Sequence, residues 1–155
     1  MIWLERNRKL WQPTPKMQGI KDVAICAIGR QENRYAREFV EHYLDLGVKK
    51  LYIYDNHQGD EEQLKDVLQD YVKRGMVELT DVGNRPDMQM RCYDHCYRLH
   101  GHEYAWIGFF DFDELLRIKS GESLPDALAH YKEGDQLLIN WRIMTDGGLT
   151  FYDER

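Results

Sequence analysis

From Val23 onward, short apolar runs alternate with amphipathic stretches, and this constrains the chain more than any other feature. Val23-Ala24-Ile25-Cys26-Ala27-Ile28 is uninterrupted and stops at Gly29, as expected of a strand covered on both faces. Asn33 is placed to cap a helix in which Tyr35, Ala36, Phe39, Val40, Tyr43 and Leu46 recur at helical spacing until Gly47. Leu51-Tyr52-Ile53-Tyr54 predicts a second strand, stopped by Asp55-Asn56. Leu64, Val67, Leu68, Tyr71 and Val72 predict a helix closed by Gly75, and Met76-Val77-Glu78-Leu79 a third strand. A helix over 88–100, a fourth strand over 105–110, a helix capped by Ser123 and a fifth strand over 136–141 complete the series. Alternation of this kind folds into an α/β architecture, with a mostly parallel central sheet and right-handed crossovers.

The first 21 residues break the pattern, with Pro13-Thr14-Pro15 as a rigid interruption. They read as an N-terminal arm containing a short helix, ahead of a single domain over 22–155. Trp3, Leu4, Leu10 and Trp11 would give that helix an apolar face resting on the domain or on a membrane surface. The lack of a long basic face favours the domain.

Composition narrows the function classes. The 155 residues carry 21 basic and 27 acidic side chains, a net charge of −6. That balance excludes broad nucleic-acid binding, which needs clustered cations to displace counterions. Three cysteines make no disulfide framework, and the expected setting is a reducing cytoplasm. The apolar runs stop short of the roughly 18–20 residues that cross a bilayer, and the start has no apolar segment of signal-peptide length.

Ligands in open α/β sheets bind beyond the carboxyl ends of the strands. Three such ends carry polar clusters: Arg30-Gln31-Glu32, Asp55-Asn56 and Asp111-Phe112-Asp113-Glu114. If the last stays extended, Asp111 and Asp113 point the same way. Two carboxylates about 4 Å apart repel by roughly 4 kcal/mol at an effective dielectric of 20, and a cation relieves the repulsion. Hard oxygen ligands suit Mg²⁺ or Mn²⁺; the alternative is a solvated acidic turn. A structural zinc site on Cys92, His95, Cys96, His100 and His102 is a rival. It lacks a close Cys-x-x-Cys pair, which favours Cys92 and Cys96 as small apolar core residues. No nucleophile elbow, Walker loop or dinucleotide fingerprint is present.

Taken in order, Val23 to Gly29 with Arg30-Gln31-Glu32, the stretch from Glu41 to Val48, Tyr52-Ile53-Tyr54-Asp55-Asn56, Gln89, Tyr93-Asp94-His95-Cys96, the stretch from Trp106 to Glu114, and Ile139-Asn140-Trp141-Arg142 resemble glycosyltransferases of the family 2-like and family 92-like group. The resemblance implies a three-layer GT-A fold, a nucleotide-sugar donor (a UDP-sugar first) and Mn²⁺ or Mg²⁺. Asp111 and Asp113 match the family's Asp-x-Asp, which holds the metal and the donor diphosphate. Glu32 and Asp55 match positions facing the ribose and base, and Gln89 a recurring glutamine near the donor. A glycan or lipid-linked acceptor is implied, with localisation in the cytoplasm or at the inner face of a membrane; peripheral membrane association and a homo-oligomer stay open. The sequence departs from the pattern at Gln31, at His57-Gln58-Gly59, at Leu115 and after Trp141. The family's acceptor site and base lie in a continuation beyond this length, so no base is assigned; Asp146 is the only late carboxylate near the expected edge. Two alternatives remain: a truncated, non-catalytic nucleotide-sugar-binding remnant, and an α/β interaction domain with a Mg²⁺ pocket.

Overall fold

The computed structural model describes residues 2–6, 23–131 and 134–144. Six strands form one sheet in the order β4-β3-β2-β5-β1-β6, where β1 is Ile2–Arg6, β2 Val23–Gly29, β3 Lys50–Asp55, β4 Val77–Asp81, β5 Trp106–Phe109 and β6 Gln136–Ile139. Strands β2 to β5 are mutually parallel, as the alternating pattern predicts. The short helix expected in the arm is a strand instead: β1 lies antiparallel between β5 and β6, pairing Trp3 with Phe109 and with Leu138. Backbone pairing decides this against side-chain pattern, because two strand edges stand open on either side of the segment.

Helices α1 (Asn33–Asp45), α2 (Lys65–Lys73), α3 (Gln89–His100) and α4 (Leu124–Leu128) make the crossovers and flank the sheet. Alternate residues of β2 serve the two faces. Val23, Ile25 and Ala27 pack with Phe39, Val40 and Tyr43 of α1 and Leu68 and Tyr71 of α2. Ala24 and Cys26 face the other way, onto Cys92, Tyr93 and Cys96 of α3. A strand buried on both faces needs apolar residues at every position, which is why the run from Val23 has no polar member.

Two local expectations shift by a residue or two. The N-cap of α1 is Glu32 rather than Asn33, and no side chain caps it. The last strand ends at Ile139, two residues early. Ser123 does cap α4, accepting from the Asp126 N–H. Chain order reverses between β2 and β5: β3 follows β2 on one side, and the return from β4 places β5 on the other. Crevices at such reversals are where open sheets bind ligands, and here β2 and β5 end side by side, at Gly29 and Phe109.

Candidate functional site at the ends of β2 and β5

Beyond β5 the chain turns at once. The Glu114 N–H donates to the Asp111 carbonyl at 3.0 Å, and the Asp111 N–H donates to Glu114 Oε2 at 2.9 Å. The segment is therefore a closed turn, not the extended run from which the two carboxylates were expected to point alike. Burial of Phe112 sets this shape. Its ring packs on Phe39 with centroids 4.7 Å apart and slides under Gly29, where an added Cβ would fall 2.7 Å from Phe112 Cε2. With that ring in the core, its neighbours remain outside: Asp111 is half-buried and Asp113 exposed.

Helix α3 holds Asp111 from the side. Gln89 Nε2 lies 2.5 Å and the Tyr93 hydroxyl 3.1 Å from Asp111 Oδ1, and both donate to it. The sequence pointed to Gln89 but gave Tyr93 no role of its own. The available signal was spacing, since residues four apart on a helix present side chains to the same partner.

Carboxylates crowd this end of the sheet. Burial first, then the charges of Asp113, Glu62 and Asp111, push the Glu32 carboxyl above its ordinary value. Burial likewise raises Glu114, opposed by the Asp111 N–H and reinforced by the Asp111 charge. Glu32, Gln89, Asp111 and Asp113 thus converge. Asp55 stands apart: it is buried in β3, with Oδ2 accepting from the Leu64 N–H at 2.8 Å and Oδ1 from the His57 N–H at 3.2 Å.

A carboxyl with a raised folded pKa binds its proton more tightly in the native state, so stability falls as pH climbs from the unfolded to the folded value. Glu32→Gln is accordingly expected to raise the thermal midpoint at pH 7. The gain should vanish in acid below the ordinary glutamate value of 4.5, where the native side chain is itself neutral. Melting curves across pH check this; a midpoint at pH 7 equal to or below that of the native chain counts against it.

A cleft of about 940 Å³ opens beside the turn, lined by Asp111, Asp113 and Glu114, by Arg117 and Lys119, and by residues 139–144. That volume lies within the roughly 300–1,000 Å³ of small-molecule sites. The rival zinc grouping is dispersed. Cys92 and Cys96 are buried beside Cys26 and Tyr54 as small apolar residues, and His95 Nδ1 is hydrogen-bonded to the Tyr54 hydroxyl at 2.8 Å. The His100 ring stacks on Tyr52 at 3.9 Å, and His102 is exposed. Among the described residues, no three His, Cys, Asp or Glu side chains are grouped to hold a metal. Asp146 lies outside the described residues.

Residues 21–146 match the glycosyltransferase family 92 description. A glycosyltransferase family 92 protein of Ricinus communis is 25% identical over 136 residues, covering 86% of this chain. One of Oryza sativa subsp. japonica is 25% identical over 128 residues, covering 83%, and one of Arabidopsis thaliana 27% over 113 residues, covering 70%. The chain spans only 24%, 21% and 19% of the lengths of these three relatives. No solved structure matches it. With four-fifths of its length under one family description, and with the ordered motifs at the ligand edge of the sheet, the chain belongs to glycosyltransferase family 92.

Proposed function

We propose that this chain is the donor-binding part of a metal-dependent glycosyltransferase of GT-A type, which takes a nucleotide-sugar, a UDP-sugar first, and transfers its sugar to a glycan or lipid-linked acceptor. The observation that carries the reading is Asp111, fixed by Gln89 and Tyr93 through one oxygen only, on the wall of a cleft of donor size. Its Oδ2 and the Asp113 carboxylate make no hydrogen bond or ion pair with any described residue, so both are available to a cation. Two carboxylates are too few to cage a metal, but Mg²⁺ and Mn²⁺ are held by one or two carboxylates plus substrate phosphates and water. The donor set fits that usage. When bound, such a cation neutralises charge developing on the diphosphate leaving group.

The chain's own residues supply binding and orientation. Gln89 and Tyr93 fix the Asp111 rotamer, and Glu114 closes the turn that presents Asp113. Glu32 is near enough to both aspartates to feel their charge, and its carboxylate would accept hydrogen bonds from the donor's ribose hydroxyls. The Trp141 indole, 58% exposed on the cleft wall, offers a flat apolar face to a sugar ring. The three cysteines, all free and buried, accord with a cytoplasmic setting.

Calorimetric titration with UDP and UDP-sugars, with and without Mn²⁺, tests the reading; Mn²⁺-dependent binding is expected, and its absence under every condition overturns it. Outer partners of metal ligands typically contribute 10–100-fold in affinity, so Tyr93→Phe is expected to weaken Mn²⁺-dependent UDP binding by about tenfold. A Tyr93→Phe protein that binds like the native chain would show that Gln89 alone orients Asp111.

A further inference from the structure

The cleft beside Asp111 is lined by charges of both signs that do not meet. Asp111, Asp113 and Glu114 share it with Arg117 and Lys119 from the segment after the turn and with Arg142 from the segment after β6. None of these three basic side chains makes a hydrogen bond or ion pair with a described residue. Three arginines elsewhere are paired: Arg30 is bidentate on Glu61 at 2.8 and 3.0 Å, Arg37 bonds Asp70 at 3.0 Å, and Arg98 bonds Asp94 at 2.8 Å. In a chain of net charge −6, three cations that line one cleft and are unpaired among the described residues offer their donors to an anion brought from outside.

Charge balance is compatible with a phosphate-bearing ligand. Three cleft carboxylates, one divalent cation and an esterified diphosphate together leave three negative charges. Arg117, Lys119 and Arg142 return the filled cleft to neutrality. Guanidinium and ammonium groups donate strong, charge-assisted hydrogen bonds to phosphate oxygens. We propose that Arg117, Lys119 and Arg142 form a phosphate subsite that binds phosphate oxygens independently of any metal. This rests on the donor-site reading for the source of the phosphate, the diphosphate of the nucleotide-sugar, and not for the existence of the subsite.

Calorimetry in EDTA on the full chain, with pyrophosphate, UDP and glucose 1-phosphate as probes, tests it. The native chain should bind pyrophosphate and UDP without metal, more weakly as salt is raised because the contacts are solvent-facing. A triple variant, Arg117→Gln, Lys119→Gln and Arg142→Gln, should lose this binding by about tenfold or more. Lys65→Gln, Lys73→Gln and Arg74→Gln together remove the same charge outside the cleft and should leave binding intact. Mutual exclusion of pyrophosphate and UDP supports the donor as source. Binding of glucose 1-phosphate on top of saturating UDP supports the subsite but gives it to a phosphorylated acceptor. No pyrophosphate binding in EDTA, or equal losses in the two triple variants, overturns the subsite. Mn²⁺-dependent UDP binding that survives in either case would leave the donor-site reading standing.

Discussion

Asp111→Asn is expected to weaken Mn²⁺-dependent UDP binding by about 100-fold, equivalent to about 2.7 kcal/mol, with the melting temperature nearly unchanged. Asparagine keeps the volume and leaves Oδ1 in place to accept from Gln89 and Tyr93. What it removes is the negative charge and the second carboxylate oxygen. A hard divalent cation depends on both, since its affinity follows the charge of its oxygen ligands. Asp113→Asn should act in the same direction, with no structural cost, because that side chain is exposed. The double variant should leave no measurable metal-dependent component. Titrations of UDP at fixed Mn²⁺ give the ratio directly. Asp111→Asn protein that binds within a factor of two of the native chain would remove Asp111 from the metal site.

Phe112→Ala carries the second large effect, here on stability. The ring is buried against Phe39 and fills the space that the missing Cβ of Gly29 leaves open. Truncating a buried phenylalanine costs about 3–5 kcal/mol, from lost transfer energy plus the cavity left behind. Phe112→Leu retains much of the volume and should cost less. Denaturant unfolding would show a lower midpoint in the order native, leucine, alanine. Because the same ring anchors the turn between Asp111 and Asp113, the alanine variant should also lose Mn²⁺-dependent UDP binding at temperatures where it remains folded. An unchanged midpoint in Phe112→Ala would mean that the turn is not held by its core anchor. Gly29 gives the complementary view: a methyl group there would press on the Phe112 ring from the strand side, so β2 and the turn are shaped to each other.

Strands β2, β3 and β5 were readable because burial on both faces leaves a strand largely apolar, and the four helices because a helix keeps one polar side; edge strand β4 showed only as the short run Met76-Val77-Glu78-Leu79. Period-2 and 3.6-residue patterns seldom imitate each other at that length. Positions 2–6 were not readable in this way. A short segment with mixed residues carries no decisive period, and its place between β5 and β6 depends on strands more than 100 positions away. Similarly, Asp55 and Asp111 both follow apolar strands, and nothing local separates them. One became a buried acceptor for the Leu64 and His57 N–H groups, while the other became a cleft wall.

Sequence alone determined the layered α/β class and the end of the sheet where the carboxylates gather, and it supplied the oxygen ligands on which the proposed cation site rests. Those follow from patterns a few residues long, enforced by burial and by the direction of parallel strands. Tertiary structure alone decided how the Asp-Phe-Asp segment bends, that Tyr93 joins Gln89 on Asp111, and that Arg117, Lys119 and Arg142 line the cleft without partners among the described residues. Each of these depends on which distant side chains compete for the same space and the same hydrogen bonds. That competition is settled only when helix, turn and strand pack together.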